Sequence, residues 1–400
     1  MSRVVVVGAG PAGLAAAIAL RRRGAEDVVV LDREDTAGGV PRHCDHTGFG
    51  LRDVHRVLRG PRYAARYVTL AERAGVEIRT RATATGWAGP AALAVTSPHG
   101  VETLAADAVV LATGCRERPR SARLVPGTRP AGVLTTGALQ QLVHGQHVRI
   151  GRRAVVVGAE HVSFSAVMTL HDAGCATVAM VTEHPAHQTY APFAWWAAGR
   201  HGVPLVTSTR LADIRGHERV EAVVLDDGRS LACDTIVFTG DWIPDHELAR
   251  HGNLRMNGGT LGPEVDGGGH TSRPGVFAAG NLVHAAETAD VAALGGRAAA
   301  DAVRAFLATG AWPTPRVAVE CAAPLCWVWP QTLSVDVPSP ATMLLRTNQL
   351  VRRATLVVEH DGRVLWRGRP RAFVPNRSIR ASGAWAANIR EGSVRWRLDA

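Results

Sequence analysis

The sequence has no lysine, few aromatic residues and few cysteines. All 45 basic residues are arginine, which together with the abundant alanine indicates codon usage and points to no function. The six cysteines include no CxxC pair and no zinc-ligand spacing, which excludes a disulfide-dense fold and a zinc module. Such cysteine usage is typical of reduced thiols, so we expect a cytoplasmic protein without a bound metal.

Long hydrophobic runs are missing as well. The longest apolar stretch, Val4 to Leu20, is interrupted by three glycines and a proline, and it is too short to span a bilayer. The chain passes from Met1 directly into the β-branched run Val4–Val7, which leaves no room for a secretion signal. These features predict no membrane span and no export.

The net charge of +10 is concentrated near one end of the chain. The segment from Arg346 to Ala400 holds twelve arginines against four acidic residues. These arginines are spread through strand-like alternation and no nucleic-acid motif accompanies them, so we expect no nucleic-acid partner. A solvated face, or a docking surface for a partner subunit, fits the pattern better.

The chain repeats one β-α-β pattern. Val4–Val7 and Val28–Leu31 read as buried parallel strands around a helix at Leu14–Arg23. The same order returns around Val155–Val157 and Val178–Val181. The repeat predicts an α/β protein with two doubly wound, Rossmann-like dinucleotide-binding domains.

The residue pattern changes after Pro313, from helix-and-strand repeats to short alternating segments. The alternating segments Thr355–Glu359 and Arg363–Arg367 flank the turn dipeptide Asp361-Gly362, which is a hairpin signal. Residues 313–400 are therefore predicted to form a small, β-rich and arginine-rich C-terminal domain.

A glycine-rich loop follows the first strand and opens the first helix. In the run Gly8-Ala9-Gly10-Pro11-Ala12-Gly13, the first glycine permits a tight turn, the second lets the backbone approach a pyrophosphate, and the third lets the helix pack closely. Asp32 ends the second strand, where an acid can accept a hydrogen bond from a ribose hydroxyl. This context predicts a bound dinucleotide.

A second run indicates which dinucleotide binds. The segment Thr271–Asn281 resembles the second flavin fingerprint, T-S-x-P-G-x-[FY]-A-x-G-D, of the pyridine nucleotide-disulfide oxidoreductase superfamily. Together with Ala112-Thr113-Gly114 and the Gly38-Gly39 loop, the resemblance covers roughly residues 1–310 and implies a glutathione reductase-like fold with FAD as cofactor. Asn281 replaces the usual aspartate, so it can bind the ribityl chain without a charge.

The resemblance implies a discontinuous FAD-binding domain at 1–150 and 250–312, and an NAD(P)-binding-like domain at 151–249. The residues expected to bind FAD are Gly8, Gly10, Pro11, Ala12, Gly13, Asp32, Arg33, Gly39, Arg42, Thr113, Gly114, Gly280 and Asn281.

The second glycine loop is degenerate. Gly158, Glu160 and Ser163 stand where three glycines are expected, and the charge and bulk of Glu160 oppose a pyrophosphate. Conversely, Glu183 ends the next strand where an acid could read a ribose, and Gly240 lies in a turn that resembles the closing turn of the superfamily. NAD(P)H binding at Gly158, Glu183 and Gly240 therefore stays open, with NADH favoured over NADPH.

The loop from Gly38 to Gly50 passes beside the flavin in this superfamily. It holds only one cysteine, Cys44, so dithiol disulfide-reductase chemistry is excluded. Cys44 could act as a lone redox thiol or be a structural filler. His46 could exchange a proton beside the flavin. These two residues are the catalytic candidates.

The stretches Cys44–Leu51 and Leu58–Ala64 resemble a subgroup of flavin dehydrogenase subunits that includes hydrogen cyanide synthase, opine oxidase and glycerol-3-phosphate dehydrogenase-associated subunits. A [2Fe–2S] centre found in several relatives needs four thiolates, and the C-terminal part offers only Cys321 and Cys326. No such cluster is expected.

Two functions remain possible. The chain could be an FAD-dependent oxidoreductase that acts on a small amine, amino acid or hydroxy acid, or on NAD(P)H, and passes electrons to another acceptor. Alternatively, it could be a partner-dependent FAD-binding subunit of a multi-subunit dehydrogenase, with the substrate chemistry on a companion chain. The expected assembly is a homo-oligomer or a complex with that companion.

Overall fold

The structure is a computed structural model that describes residues 2–195, 199, 201–314, 316–334, 336–389 and 391–399. The elements of the first part of the chain are β1 (Arg3–Val7), α1 (Pro11–Arg22), β2 (Asp27–Leu31), β3 (Thr47–Phe49), β4 (Leu58–Arg59), α2 (Gly60–Arg73), β5 (Glu77–Arg79), β6 (Thr83–Gly89), β7 (Ala92–Ser97), β8 (Gly100–Ala105), β9 (Ala108–Leu111) and β10 (Cys115–Glu117).

The middle of the chain contributes a second set of elements. They are β11 (Val133–Thr135), α3 (Thr136–Gln140), β12 (Arg153–Val157), α4 (His161–Asp172), β13 (Ala176–Val181), α5 (Ala191–Trp195), β14 (Leu205–Val206), β15 (Leu211–Gly216), β16 (Val220–Leu225), β17 (Ser230–Ala232) and β18 (Thr235–Phe238). The chain then returns to the first unit through β19 (Trp242–Pro244), α6 (Glu247–His251), β20 (Val276–Ala278) and α7 (Ala289–Thr309).

The remaining strands belong to the C-terminal unit. They are β21 (Arg316–Cys321), β22 (Leu325–Trp329), β23 (Thr332–Ser334), β24 (Thr342–Thr347), β25 (Val351–His360), β26 (Arg363–Arg367), β27 (Arg371–Phe373), β28 (Ile379–Ser382) and β29 (Ser393–Asp399). Short 3₁₀ turns lie at Val40–His43, Arg120–Arg123, Gly280–Leu282 and Ala384–Asn388, and one π turn lies at Gln141–Gly145.

The two predicted Rossmann-like sheets are confirmed. The first has the order β20-β9-β1-β2-β5 and the second the order β11-β18-β12-β13-β14, with every neighbouring pair parallel. Each unit also contains a three-stranded antiparallel sheet at the equivalent place in the chain. It is β6-β7-β8, between β5 and β9, in the first unit, and β15-β16-β17, between β14 and β18, in the second. The valines of β1 are buried because helices cover one face of the sheet and the small antiparallel sheet covers the other.

The pairing of β11 bears on the domain boundary that was predicted between residues 150 and 151. β11 precedes residue 150 but pairs with β18 of the second sheet, and we therefore propose that the second domain begins before Val133. β10 and β19 cross between the units as an antiparallel pair. The edges of the two domains are thus joined at Cys115–Glu117.

The C-terminal unit is β-rich, as predicted. Its sheets are β23-β21-β29-β25-β26, with β27 also paired to β25, and β22-β24-β28. Trp396, Phe373 and Met343 are fully buried between them. The predicted hairpin is confirmed, since β25 and β26 pair antiparallel around Asp361 and Gly362. Among the described residues, no helix combines the length and apolar character that crossing a membrane requires.

Candidate functional site

In the first glycine loop, Gly8 and Gly13 are packed tightly against backbone atoms, whereas Gly10 faces open space. Gly8 has φ +109°, and a Cβ there would lie 2.4 Å from the carbonyl oxygen of Ala112. A Cβ on Gly13 would lie 1.9 Å from the Gly8 oxygen. By contrast, a Cβ on Gly10 would meet nothing within 4 Å. Gly10 caps the N-terminus of α1, so the open space lies where a helix attracts an anion.

Asp32 lies at the end of β2 and holds this loop in place. Its carboxylate accepts hydrogen bonds from the backbone N–H of Ala9 at 2.6 Å and of Glu34 at 2.9 Å. A carboxylate has lone pairs for about four such bonds, so acceptor capacity remains for a ribose hydroxyl.

The Gly38-Gly39 loop brings Arg42 to the same place. A Cβ on Gly39 would lie 2.8 Å from the Gly10 Cα, which fixes how closely the loop approaches. The Arg42 side chain is 17% exposed and lies 3.8 Å from Glu34, while its buried Nε has no hydrogen-bond partner among the described residues. A buried donor left unpaired is destabilising, and an anionic ligand beside Gly10 would satisfy it.

Thr113 and Gly114 follow β9 at the same edge of the sheet. The Thr113 hydroxyl donates to the Asp245 carbonyl at 2.7 Å, and Gly114 has φ +80°. Arg33 is exposed and donates to the Asp245 carboxylate at 3.2 Å. The cofactor contacts predicted for these residues stay predictions. In the structure, Thr113 and Arg33 join the first unit to Asp245, just after β19.

Gly280 and Asn281 follow β20, again at the carboxyl edge. A Cβ on Gly280 would lie 2.5 Å from the Ala12 Cβ, so the segment runs directly against the start of α1. The Asn281 amide donates to the Glu287 carbonyl at 3.1 Å and accepts from the Glu287 N–H at 2.8 Å. This amide therefore closes the loop 281–287 beside the glycine loop.

These residues fit FAD. The carboxyl edge of a parallel sheet is where dinucleotides bind, and the space at Gly10, the unpaired Nε of Arg42 and the loop beside Ala12 all lie there. The Gly8–Gly13 loop and Arg42 would hold the phosphates, and Asp32 would hold the ribose.

The second glycine loop is filled by its own side chain. Glu160 caps the N-terminus of α4 and is 5% exposed. A Cβ built on Gly158 would lie 2.7 Å from Glu160 Oε2, and one built on Gly240 would lie 3.2 Å from its carboxyl carbon. The carboxylate thus lies between Gly158 of the second loop and Gly240 of the closing turn, where its charge and bulk oppose a pyrophosphate.

Further polar groups close the same pocket. The hydroxyls of Ser163 and Thr239 lie 2.7 Å apart and are buried. Arg123 donates to the Gly240 carbonyl at 2.7 Å and lies over the Phe238 ring. Glu183, the predicted ribose acid, forms an ion pair with Arg210.

Glu117 is a second buried acid near Glu160. Burial raises its pKa to about 7, with a further increase from the Glu160 charge, and the backbone N–H of Gly137 donates to it at 2.9 Å. One oxygen of each carboxylate has no hydrogen-bond partner among the described residues. Sequence reasoning missed Glu117 and Arg123, since neither belongs to a motif.

The two catalytic candidates lie in different environments. Cys44 is buried and its Sγ donates to Gln140 Oε1 at 3.3 Å; burial raises its pKa to about 12. His46 lies 2.8 Å from the Thr47 carbonyl through Nδ1, and burial lowers its pKa. The hydrogen bond from Cys44 to Gln140, at the end of α3, shows that this loop contacts α3.

The C-terminal unit contacts both nucleotide units. Arg377 donates to the Gln188 carbonyl at 2.8 Å in the second unit and lies over the Tyr190 ring. Arg346 donates to the carbonyls of Ala285 and Ala286 in the first unit. The sequence predicted a solvated face or a docking surface for a partner subunit in this region, and that stays a prediction; these two arginines contact the nucleotide units of the chain itself.

A buried aromatic cluster lies beside Arg346. His284 stacks on Trp327 with ring centroids 5.3 Å apart, and Trp329 lies 5.6 Å away. Burial lowers the pKa of His284 to about 3, so the imidazole is neutral at physiological pH. Within the described part of the chain, histidine, cysteine and acidic side chains nowhere gather in a group of three that could hold a metal ion.

Curated relatives match between about half and about three quarters of the chain. An opine oxidase chain of Agrobacterium tumefaciens (strain Ach5) is 27% identical over 76% of this chain, which spans 65% of that protein. The ferredoxin–NAD(+) reductase component of the Pseudomonas putida benzene 1,2-dioxygenase system is 27% identical over 70% of this chain and 67% of its own length. The alpha subunit of sarcosine oxidase from Corynebacterium sp. (strain P-1) is 32% identical over 54% of this chain and 23% of that protein.

Solved structures show the same fold. Thioredoxin reductase of T. acidophilum superposes with a TM-score of 0.65 at 20% identity and covers 77% of this chain and 99% of its own. An NAD-dependent persulfide reductase from A. fulgidus has a TM-score of 0.62 at 20% identity, covering 90% of this chain and 68% of its own.

The family model described as pyridine nucleotide-disulphide oxidoreductase matches residues 2–296. The family is FAD-binding and includes reductases that use NAD(P)H. This match covers the glycine loop, both sheets and the start of α7, and so includes the residues that fit FAD. The chain therefore belongs to the pyridine nucleotide-disulphide oxidoreductase family.

Proposed function

We propose that this FAD-dependent oxidoreductase exchanges electrons with a small organic substrate or a companion chain, and not with NAD(P)H. The contrast between the two glycine loops carries the proposal: the position of Gly10 is open, whereas the carboxylate of Glu160 fills the corresponding position of the second loop. The substrate class that we favour is an amine, amino acid or hydroxy acid, each of which can lose a hydride from a carbon next to nitrogen or oxygen.

FAD supplies the two-electron acceptor chemistry when it is bound. The protein must supply a group that accepts the proton of the substrate N–H or O–H as the hydride leaves. His46 suits this role, because its lowered pKa keeps the imidazole neutral at physiological pH. Its Nδ1 lies at the Thr47 carbonyl, which favours the tautomer with the Nε2 lone pair free.

A lone redox thiol is less well supported. With a pKa raised to about 12, Cys44 carries almost no thiolate at neutral pH, and the thiolate is the reactive form. The six cysteines are all free and none forms a disulfide. We propose that Cys44 is a structural filler.

The second candidate function is that of a partner-dependent subunit. Several relatives are named as subunits, among them the opine oxidase and sarcosine oxidase chains. In this arrangement the substrate site lies on the companion chain, and the FAD site described above exchanges electrons with it.

An anaerobic titration with NADH tests the proposal. The FAD-loaded protein is followed through the flavin absorbance near ~450 nm. We expect no bleaching by NADH, but full bleaching by dithionite. Bleaching by stoichiometric NADH in the wild-type protein would contradict the exclusion of NAD(P)H.

Two variants of Glu160 separate the effect of its charge on NADH binding from the effect of its volume. Glu160→Gln removes the negative charge but keeps the volume, whereas Glu160→Gly also restores the space. We expect NADH binding, measured by calorimetry, to appear in Glu160→Gly and to stay weak in Glu160→Gln. Equal and negligible binding in all three proteins would show that Glu160 is not what excludes the nucleotide.

A screen of amines, amino acids and hydroxy acids then separates the two functions. Reduction of the flavin by one of them in the isolated chain favours a self-sufficient enzyme. If only a co-purifying or co-expressed second chain enables reduction, the partner-dependent function is correct.

A further inference from the structure

We propose that Arg346 of the C-terminal unit is a positioning residue for FAD, and that it acts through Glu287 on the loop closed by Asn281. The inference rests on the FAD binding established above. It assigns a function to the arginine-rich C-terminal unit, which lies beyond the region matched by the family model.

Arg346 joins the C-terminal unit to the first nucleotide unit. Arg346 lies on β24 and is 7% exposed. Its guanidinium donates to the carbonyls of Ala285 and Ala286 at 2.8 and 2.7 Å, and to the Glu287 carboxylate at 3.0 Å. Three consecutive residues of the first unit are therefore held by one side chain of the C-terminal unit.

The guanidinium itself is held firmly. It lies 5.3 Å from the centroid of the Trp327 ring, and the Arg346 and Glu287 side chains are only 9% and 3% exposed. Burial of this kind makes loss of one ionic partner strongly unfavourable, because the other charge stays buried and unpaired. The pair is thus a specific, rigid contact rather than a surface ion pair.

Glu287 connects this contact to the cofactor site through Asn281. The backbone N–H and C=O of Glu287 both bind the Asn281 amide. Asn281 follows Gly280, which is packed against Ala12 at the start of α1. A shift of Glu287 would therefore move the Asn281 amide, and with it the segment that runs beside the open space at Gly10.

The α7 helix follows the same segment. Thr288 caps this helix and bonds to Asp290, whose carboxylate also accepts from the Arg52 N–H at 3.1 Å. The loop 281–287 is consequently fixed at one end by β20 and at the other by α7. From the C-terminal unit, Arg346 holds the last three residues of the loop, and Trp327 stacks on His284.

The test measures FAD affinity in the full chain. Apo-protein carrying Arg346→Met is titrated with FAD and followed by quenching of the flavin fluorescence. We expect the Kd for FAD to rise at least tenfold, because the loop beside the cofactor loses its anchor. Arg353→Met is the matched control, since Arg353 is exposed on β25 of the same unit and should leave the Kd within twofold.

Glu287→Gln keeps the volume and removes the charge, and it provides a second measurement if Arg346→Met does not fold. We expect this variant also to raise the Kd, and the double variant to bind no more weakly than Arg346→Met alone, because both residues act through one contact. Additive effects of the two substitutions would contradict the coupling.

The outcomes distinguish this inference from the proposed function. If the wild-type apo-protein fails to bind FAD, the proposed function itself is wrong. If the wild type binds and Arg346→Met lowers only the melting temperature of the apo-protein, with an unchanged Kd and flavin spectrum, Arg346 is merely structural and the inference is overturned.

Discussion

Gly10 and Glu160 occupy corresponding positions, each as the residue that caps the helix after the central strand of its sheet. The N-terminus of a helix carries partial positive charge and attracts anions. At Gly10 this attraction is available to a ligand, whereas Glu160 supplies a carboxylate from the chain itself. We therefore propose that this one position decides whether the same fold binds a dinucleotide there.

The buried acid Glu117 should make stability depend on pH. Its pKa is raised from 4.5 to about 7 in the folded protein, so the folded state holds the proton more tightly than the unfolded state. The free energy of unfolding should fall as the pH rises from about 4.5 to about 7, by roughly 3 kcal/mol. Glu117→Gln should remove this decrease.

Urea unfolding of the wild type and of Glu117→Gln at pH 5 and at pH 8 measures the difference. The variant should be the more stable protein at pH 8, and the advantage should shrink at pH 5. The same pH dependence in both proteins would show that Glu117 titrates near its ordinary pKa. Glu221→Gln, at an exposed position of β16, serves as the control.

The thiol of Cys44 should be inert in the native protein. Its burial and its pKa of about 12 leave almost no thiolate to react with iodoacetamide at pH 8. Mass spectrometry after brief alkylation of native protein should find Cys44 unmodified, and Cys44→Ser should keep its FAD. Rapid alkylation of Cys44 in the native protein would instead support its role as a redox thiol.

Single residues were predictable where a motif required them. The glycines at 8, 10 and 13 follow from the geometry of a strand, a turn and a helix, and the structure shows the close contacts that two of them make. Arg346 and Glu117 were not predictable, because their partners are distant in the sequence and a lone arginine or glutamate has no local pattern.

The helices α1 and α7 cross at Gly296, where there is no space for a side chain. A Cβ on Gly296 would lie 2.0 Å from the Ala12 carbonyl oxygen, whereas the nearest atom to a Cβ on the adjacent Gly295 is 3.7 Å away. Gly296→Ala should therefore push α7 off α1, with a loss of roughly 1–3 kcal/mol in stability and weaker FAD binding.

Gly295→Ala is the matched control in the same helix. It should be neutral or stabilising by about 0.5–1 kcal/mol, because alanine favours helix more than glycine. Thermal unfolding of both variants measures the difference. Similar destabilisation by the two substitutions would mean that helix geometry alone, and not the crossing, constrains these glycines.

Elements were predicted well where the hydrophobic pattern was long. The valine runs of β1 and β12 identified the two parallel sheets, and the turn at Asp361 identified the β25–β26 hairpin. β11 was missed because three residues carry no periodicity, and only its pairing with β18 defines it as a strand. The helix α1 begins at Pro11, three residues before its predicted start, since proline is favoured in the first helical turn.

Across the whole molecule, the C-terminal unit bridges the other two. Arg346 holds the first nucleotide unit and Arg377 holds the second, so rotation of one against the other would break a buried contact. We expect X-ray scattering to give the same radius of gyration with and without FAD. The double variant Arg346→Met/Arg377→Met should be larger or more heterogeneous, and an FAD-dependent change in the wild type would contradict the bridge.

A carboxylate in the second pocket has a consequence for the cell. A family member that binds NADH responds to the ratio of NADH to NAD⁺ and so reports the energy state of metabolism. With Glu160 in place of that ligand, the flavin of this chain should be insulated from the pool. Its redox state would then follow only the supply of its own substrate and the capacity of its acceptor, even when NADH accumulates.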